Sequence, residues 1–218
     1  MDKIFKTYKK LFTQRCHNIP LLEIGEDSVR YDFFIASTEV KNLKNYEIVL
    51  ESAISSQAYI PRQVSPNTLR KQKPKMDIVI DKLNICAEFG LFRQNSNEEG
   101  TINKTNRLIK TLNDMIRLGL ESNFTKRNAY FICVADSKML RHQLQSKSLG
   151  PFPSDYQINL DLVNELCLKK TSDFDRRFIN KMQELNLSFN AKLIFNEEII
   201  ADKINLETRL IAWEVVRA

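Results

Sequence analysis

The chain has 218 residues, 43% hydrophobic and 28% charged, with a formal net charge of +6 and only two histidines. That composition can fill a real core, most simply that of one domain spanning residues 1–218. No run approaches the roughly 18 consecutive apolar residues of a membrane span. The N-terminus lacks the apolar region and small-residue cleavage site of a secretory signal, leaving the cytoplasm as the expected location.

In chain order, residues 2–16 place Ile4, Phe5, Tyr8, Leu11 and Phe12 at helical spacing, with lysines opposite. VRYDFFIA, residues 29–36, reads as a strand, and residues 45–58 read as a helix with Asn42 or Asn45 as its N-cap. The stretch from Pro61 to Pro74 has three prolines and is loop-like. A hairpin follows, with MDIVI as one strand, DKLN as the turn and ICAEFGLF as the other. A helix is expected from about residue 103 to 120, then AYFICVAD (129–136) as a strand covered on both faces, then a short helix opened by Ser137. Beyond Gly150-Pro151, LDLVNELCLKK and DFDRRFINKMQEL have helical period, while KLIFN and TRLIAWEVV read as strands. This order predicts an α/β fold with a central mixed β-sheet flanked by helices, residues 151–218 completing or extending the sheet.

Four widely spaced cysteines (Cys16, Cys86, Cys133 and Cys167) form no CxxC pair and read as reduced thiols. His17 and His142 have no cysteine or acidic ligand nearby at metal spacing, which argues against zinc. No local signature proposes a Ser-His-Asp or Cys-His nucleophile. Positive charge is concentrated. Arg62, Arg70, Lys71, Lys73 and Lys75 fall in residues 61–76 without one acid, and Lys3, Lys6, Lys9, Lys10 and Arg15 line the first helix. Each cluster is either a solvated face or a grip on a polyanion, whose condensed counterions lysines and arginines displace.

The hairpin carries two carboxylates that apolar burial would not select, Asp77 and Glu88. Strand alternation puts Glu88 on the face of Cys86, Gly90 and Phe92, and antiparallel pairing can bring Asp77 close to it. Two readings are open at this stage. Asp77 caps the strand entrance and Glu88 finds a lysine or solvent, or the two acids share a divalent cation that offsets their repulsion and lost hydration.

In its order of elements this region, about residues 42–136, resembles the PD-(D/E)xK nuclease superfamily, the restriction-endonuclease-like fold. That family's core runs helix, three-stranded meander or hairpin, helix, strand, with acids at the start of one hairpin strand, within the next and often on the preceding helix. Asp77 and Glu88 stand at the two strand positions. Glu51 would be the helix glutamate, with Glu47 the alternative. Met76 replaces the motif proline and Gly90 the motif lysine. Lys104, Lys110 or Arg107 on the next helix could supply the missing cation, Arg93 being on the wrong face.

The resemblance implies a metal-dependent DNA endonuclease of restriction or repair type. Glu51, Asp77, Glu88 and the Phe89 carbonyl would hold Mg²⁺ or Mn²⁺, and Lys104 would act with Asp77 and Glu88 in catalysis. Arg62, Arg70, Lys71, Lys73, Lys75, Arg107 and Lys110 would contact DNA, with Tyr59 and Phe92 either touching bases or packing in the core. A cutter of both strands would act as a homodimer. The other implied role, favoured by Gly90, is a non-catalytic nucleic-acid-binding or assembly protein on the same scaffold.

Overall fold

A computed structural model describes residues 1–61, 73–93, 104–139, 153–169 and 174–218; the side chains of 104–107 and 167–169 lie outside that description. Helix α1 spans Asp2–Asn18 and α2 Glu26–Lys41. The meander β1 (Val49–Ala53), β2 (Lys75–Ile80) and β3 (Ile85–Phe92) follows. Next come α3 (Lys104–Thr125), β4 (Asn128–Asp136) and the short β5 (Tyr156–Ile158). The chain closes with α4 (Leu160–Lys169), α5 (Arg176–Glu184), β6 (Phe189–Ile199) and β7 (Thr208–Arg217).

The seven strands form one mixed sheet in the order β1-β2-β3-β4-β7-β6-β5. β1, β2 and β3 pair antiparallel, β3 and β4 parallel, and β7 and β6 continue antiparallel from β4. The C-terminal third therefore extends the sheet. Each strand side chain points to the face opposite its neighbours, so the sheet feeds two cores. Phe131, Cys133 and Ala135 of β4 pack with Leu112, Met115 and Ile116 of α3 and with Phe178 of α5. Tyr130, Ile132 and Val134 pack on the other face with Phe5 and Tyr8 of α1 and Phe33 of α2. β4 is thus covered on both sides, as its unbroken apolar run requires. Among the described residues, no helix is long and apolar enough to cross a membrane.

Two elements correct the sequence reading. VRYDFFIA is helical: Val29, Phe33 and Ala36 are buried at i, i+4 and i+7, a period that outweighs the strand propensity of the aromatics. Its first turn carries Glu26 and Asp27, which favour a helix N-terminus, and it stops at Asn42 in the left-handed conformation (φ 49°). Asn42 therefore ends a helix rather than starting one. The expected helix 45–58 is instead a 3₁₀ turn, Asn45–Glu47, followed by β1. Tyr46 in that turn and Val49 and Leu50 on this outer strand, apparently one helical stripe, are all exposed.

Cys16, Cys86 and Cys133 are buried free thiols, and burial pushes Cys16 up to about 11 and Cys86 to about 12. His17 meets Asp202, while His142 lies outside the described residues.

Candidate active site

Register brings three acids into one row. β1 and β2 pair Leu50 with Ile78 and Ser52 with Met76, which sets Glu51 opposite Asp77. β2 and β3 pair Ile78 with Ala87, so the next step of the same register sets Asp77 opposite Glu88. Backbone pairing of β2 with β3 ends there, and the Asp77 side chain takes its place: the Phe89 N–H donates to Asp77 Oδ2 at 2.9 Å. Glu51 reaches the row from a strand, not from the expected helix, and its backbone is left-handed (φ 51°). Glu47 is elsewhere, accepting the Lys44 N–H at 2.7 Å and pairing with Lys82 at 3.1 Å.

Like charges directly opposed across strands repel, and helices on both faces supply the compensation. From α2, Arg30 Nη1 donates to Glu51 Oε1 at 2.6 Å and lies 3.4 Å from Asp77 Oδ1, while its Nη2 reaches Asp27 at 2.5 Å. From α3, Arg117 pairs with Glu88 and, at 3.2 Å, with Asp114. Lys110, also on α3, meets Glu26 at 2.6 Å, and Lys75 stands 3.8 Å from Glu51.

The interior members are electrostatically costly. Glu88 is 2% exposed. Burial raises its carboxyl well above the ordinary range; Arg117 opposes that rise, while Asp114 and Asp77 add to it, Asp77 also through a hydrogen bond. Burial likewise pushes Asp114 up to about 6, again against Arg117. Among the described side chains, six carboxylates (Glu26, Asp27, Glu51, Asp77, Glu88 and Asp114) thus face four cations (Arg30, Lys75, Lys110 and Arg117). Asp27, Glu51 and Glu26 are screened by solvent, whereas burial of Glu88 and Asp114 favours a bound proton or a further cation there. An open cavity of about 240 Å³ lies over this charge, lined by Glu26, Asp27, Arg30, Glu51, Asp77 and Phe89.

The remaining expected residues divide. Lys110, expected on DNA, sits among the acids, and Lys75 borders them. Lys73 is exposed. Arg62, Arg70 and Lys71 lie outside the described residues, as do the side chains of Lys104 and Arg107. Tyr59 and Phe92 are buried in the α3-side core, so neither presents a ring to a base. Arg93 donates to the Leu21 carbonyl at 3.1 Å, away from Glu88. At Gly90 an added Cβ would fall 2.7 Å from the Phe92 ring, so a lysine there needs Phe92 to move.

Sequence reasoning missed Glu26, Asp27, Arg30, Asp114 and Arg117. Their signal was helical ion-pair spacing, Asp27 to Arg30 and Asp114 to Arg117. The first pair was hidden by reading α2 as a strand. Among the described residues, no three His, Cys, Asp or Glu side chains are grouped closely enough to hold a metal as they stand. No protein-family model, curated protein or solved structure matches the chain.

Proposed function

We propose that this chain is a cytoplasmic, metal-dependent DNA endonuclease with a restriction-endonuclease-like core, hydrolysing phosphodiester bonds. The observation that carries the reading is the row Glu51, Asp77 and Glu88 in a cluster with more carboxylates than cations. The element order supports it too: α2, the β1-β2-β3 meander, α3 and a parallel β4 follow the sequence of parts that the PD-(D/E)xK resemblance requires.

The donor chemistry suits a hard divalent cation, provided the acids draw together from their present positions and Glu88 turns from Arg117. It is all oxygen, in charge excess, and Asp77 keeps a quarter of its side chain exposed at the cavity. Glu51, Asp77 and Glu88, with the Phe89 carbonyl, would hold Mg²⁺ or Mn²⁺. The ion, when bound, acidifies a water and neutralises charge on the phosphate. Arg30 and Lys110, from helices on opposite faces of the sheet, would bind phosphate oxygens beside the acids. Lys110 takes the part of the migrated motif lysine, and Lys73 and Lys75 hold the nucleic-acid backbone.

A second reading, a non-catalytic nucleic-acid-binding protein on this scaffold, is favoured by Arg117, which already pairs with Glu88, and by Gly90, where a side chain requires Phe92 to shift. Incubation with supercoiled plasmid separates the two. Nicking that requires Mg²⁺ or Mn²⁺ and is lost in Asp77→Ala and Glu88→Ala is the expected result. Salt-sensitive gel retardation without nicking in any metal assigns the second reading, and nicking untouched by either substitution overturns the site.

A further inference from the structure

A second cavity, of about 380 Å³, adjoins the acid cavity and shares Asp27 and Arg30 with it. Its other walls include Arg15, Tyr31 and Phe34 from the two N-terminal helices and Leu50 from β1. Tyr31 and Phe34, one helical turn apart, hold their rings within 4° of parallel at 6.3 Å. Core packing does not account for Tyr31, which is 55% exposed, nor for Leu50 at its mouth, 45% exposed. An ordered pair of aromatic rings that leaves one of them open is a stacking platform.

The geometry points to a subsite for an unpaired nucleobase, stacked on Tyr31, whose adjoining phosphodiester reaches the acid cavity past Arg30. This inference rests on the nuclease reading and names its substrate class as single-stranded or locally unpaired nucleic acid. Three features select that occupant. The volume lies at the small-ligand end of binding-pocket sizes, suited to one nucleoside. Arg15 is fixed in a two-pronged ion pair with the buried Asp32, at 2.8 and 2.5 Å, so its guanidinium offers a rigid, locally neutralised edge suited to an uncharged base rather than a phosphate. Arg30 spans both cavities, and a sugar-phosphate backbone would run along it from one to the other. A paired base inside a duplex has both faces covered by its neighbours and cannot lie on Tyr31, so the platform discriminates by strandedness.

The test uses the full chain in EDTA, so that binding is read without cutting. Fluorescence anisotropy compares a labelled oligodeoxythymidylate with a duplex of the same length. The expected wild-type preference for the single strand falls about tenfold in Tyr31→Ala and is retained in Tyr31→Phe, which keeps the ring. An unchanged preference in Tyr31→Ala, or no preference in the wild type, overturns the subsite. Single-strand preference with no metal-dependent cutting keeps the subsite and overturns the nuclease reading. Failure to bind either nucleic acid, both in EDTA and with Ca²⁺ in its place, overturns both.

Discussion

Arg30→Gln tests whether an arginine occupies the electrostatic role of a missing cation. In the wild type one guanidinium nitrogen serves both Glu51 and Asp77. Carboxylate oxygens 2.6 and 3.4 Å from one nitrogen are no more than about 6 Å apart. Two unit charges at that distance repel by about 3 kcal/mol at an effective dielectric constant of about 20. Glu51 is about half exposed and keeps Lys75 nearby, so solvent and that lysine reduce the cost to about 1–2 kcal/mol. For a chain of this size the unfolding midpoint should drop by about 4 °C in EDTA. A divalent cation held by the freed carboxylates restores the loss, since an ion at 100 times its Kd contributes about 2.7 kcal/mol. Circular dichroism melts of wild type and variant, each in EDTA and in Mg²⁺, give the four midpoints needed. The Mg²⁺-induced rise should be larger in Arg30→Gln than in the wild type. Equal midpoints in EDTA, or equal rises with Mg²⁺, refute the reasoning.

Three further outcomes follow from other positions. Asp114, raised from 3.8 to about 6 by burial, binds a proton more readily folded than unfolded, so its contribution to stability falls as pH rises from about 4 to about 6 and is level above. Urea unfolding across that window should show wild type losing stability relative to Asp114→Asn as pH rises, and parallel profiles would remove Asp114 as the source. Gly119→Ala places a Cβ 2.5 Å from the buried Phe189 ring, and overpacking of about 1–3 kcal/mol outweighs the gain of about 1 kcal/mol in helix propensity. Urea midpoints should therefore fall, and a rise would show that Phe189 can move freely. Gly90→Lys, which restores the motif lysine in letters, should lower the melting midpoint through its clash with Phe92 and bring no gain in plasmid nicking; a gain would put the lysine function on β3 after all.

The hairpin was legible because strand alternation, turn residues and apolar content agree over residues 76–92. Local periodicity also found α1, α3, β4 and the C-terminal elements other than the three-residue β5, too short to show a period. It failed at α2 and β1, where burial of the sheet edge decides the outcome. VRYDFFIA carries strand-forming aromatics, but only the helical set Val29, Phe33 and Ala36 reaches the core. YEIVLESAI imitates a helix because an outer strand need not alternate: Val49 and Leu50 are both exposed. Asp77 and Glu88 could be paired on paper since both lie on the legible hairpin. Arg30 and Arg117 could not, because their reach depends on how two helices pack on opposite faces.

Glu51 has a consequence outside any chemistry. β1 is an end strand, and its outer row of N–H and C=O groups pairs with no other strand among the described residues. A left-handed residue other than glycine in mid-strand costs about 1–2 kcal/mol, yet pairing with β2 keeps its register on either side. The kink leaves two-residue stretches, Val49-Leu50 and Ser52-Ala53, too short to template a foreign strand. The exposed apolar pair Val49 and Leu50 thus sits on an interrupted edge rather than on a long flat one, the kind that recruits another strand.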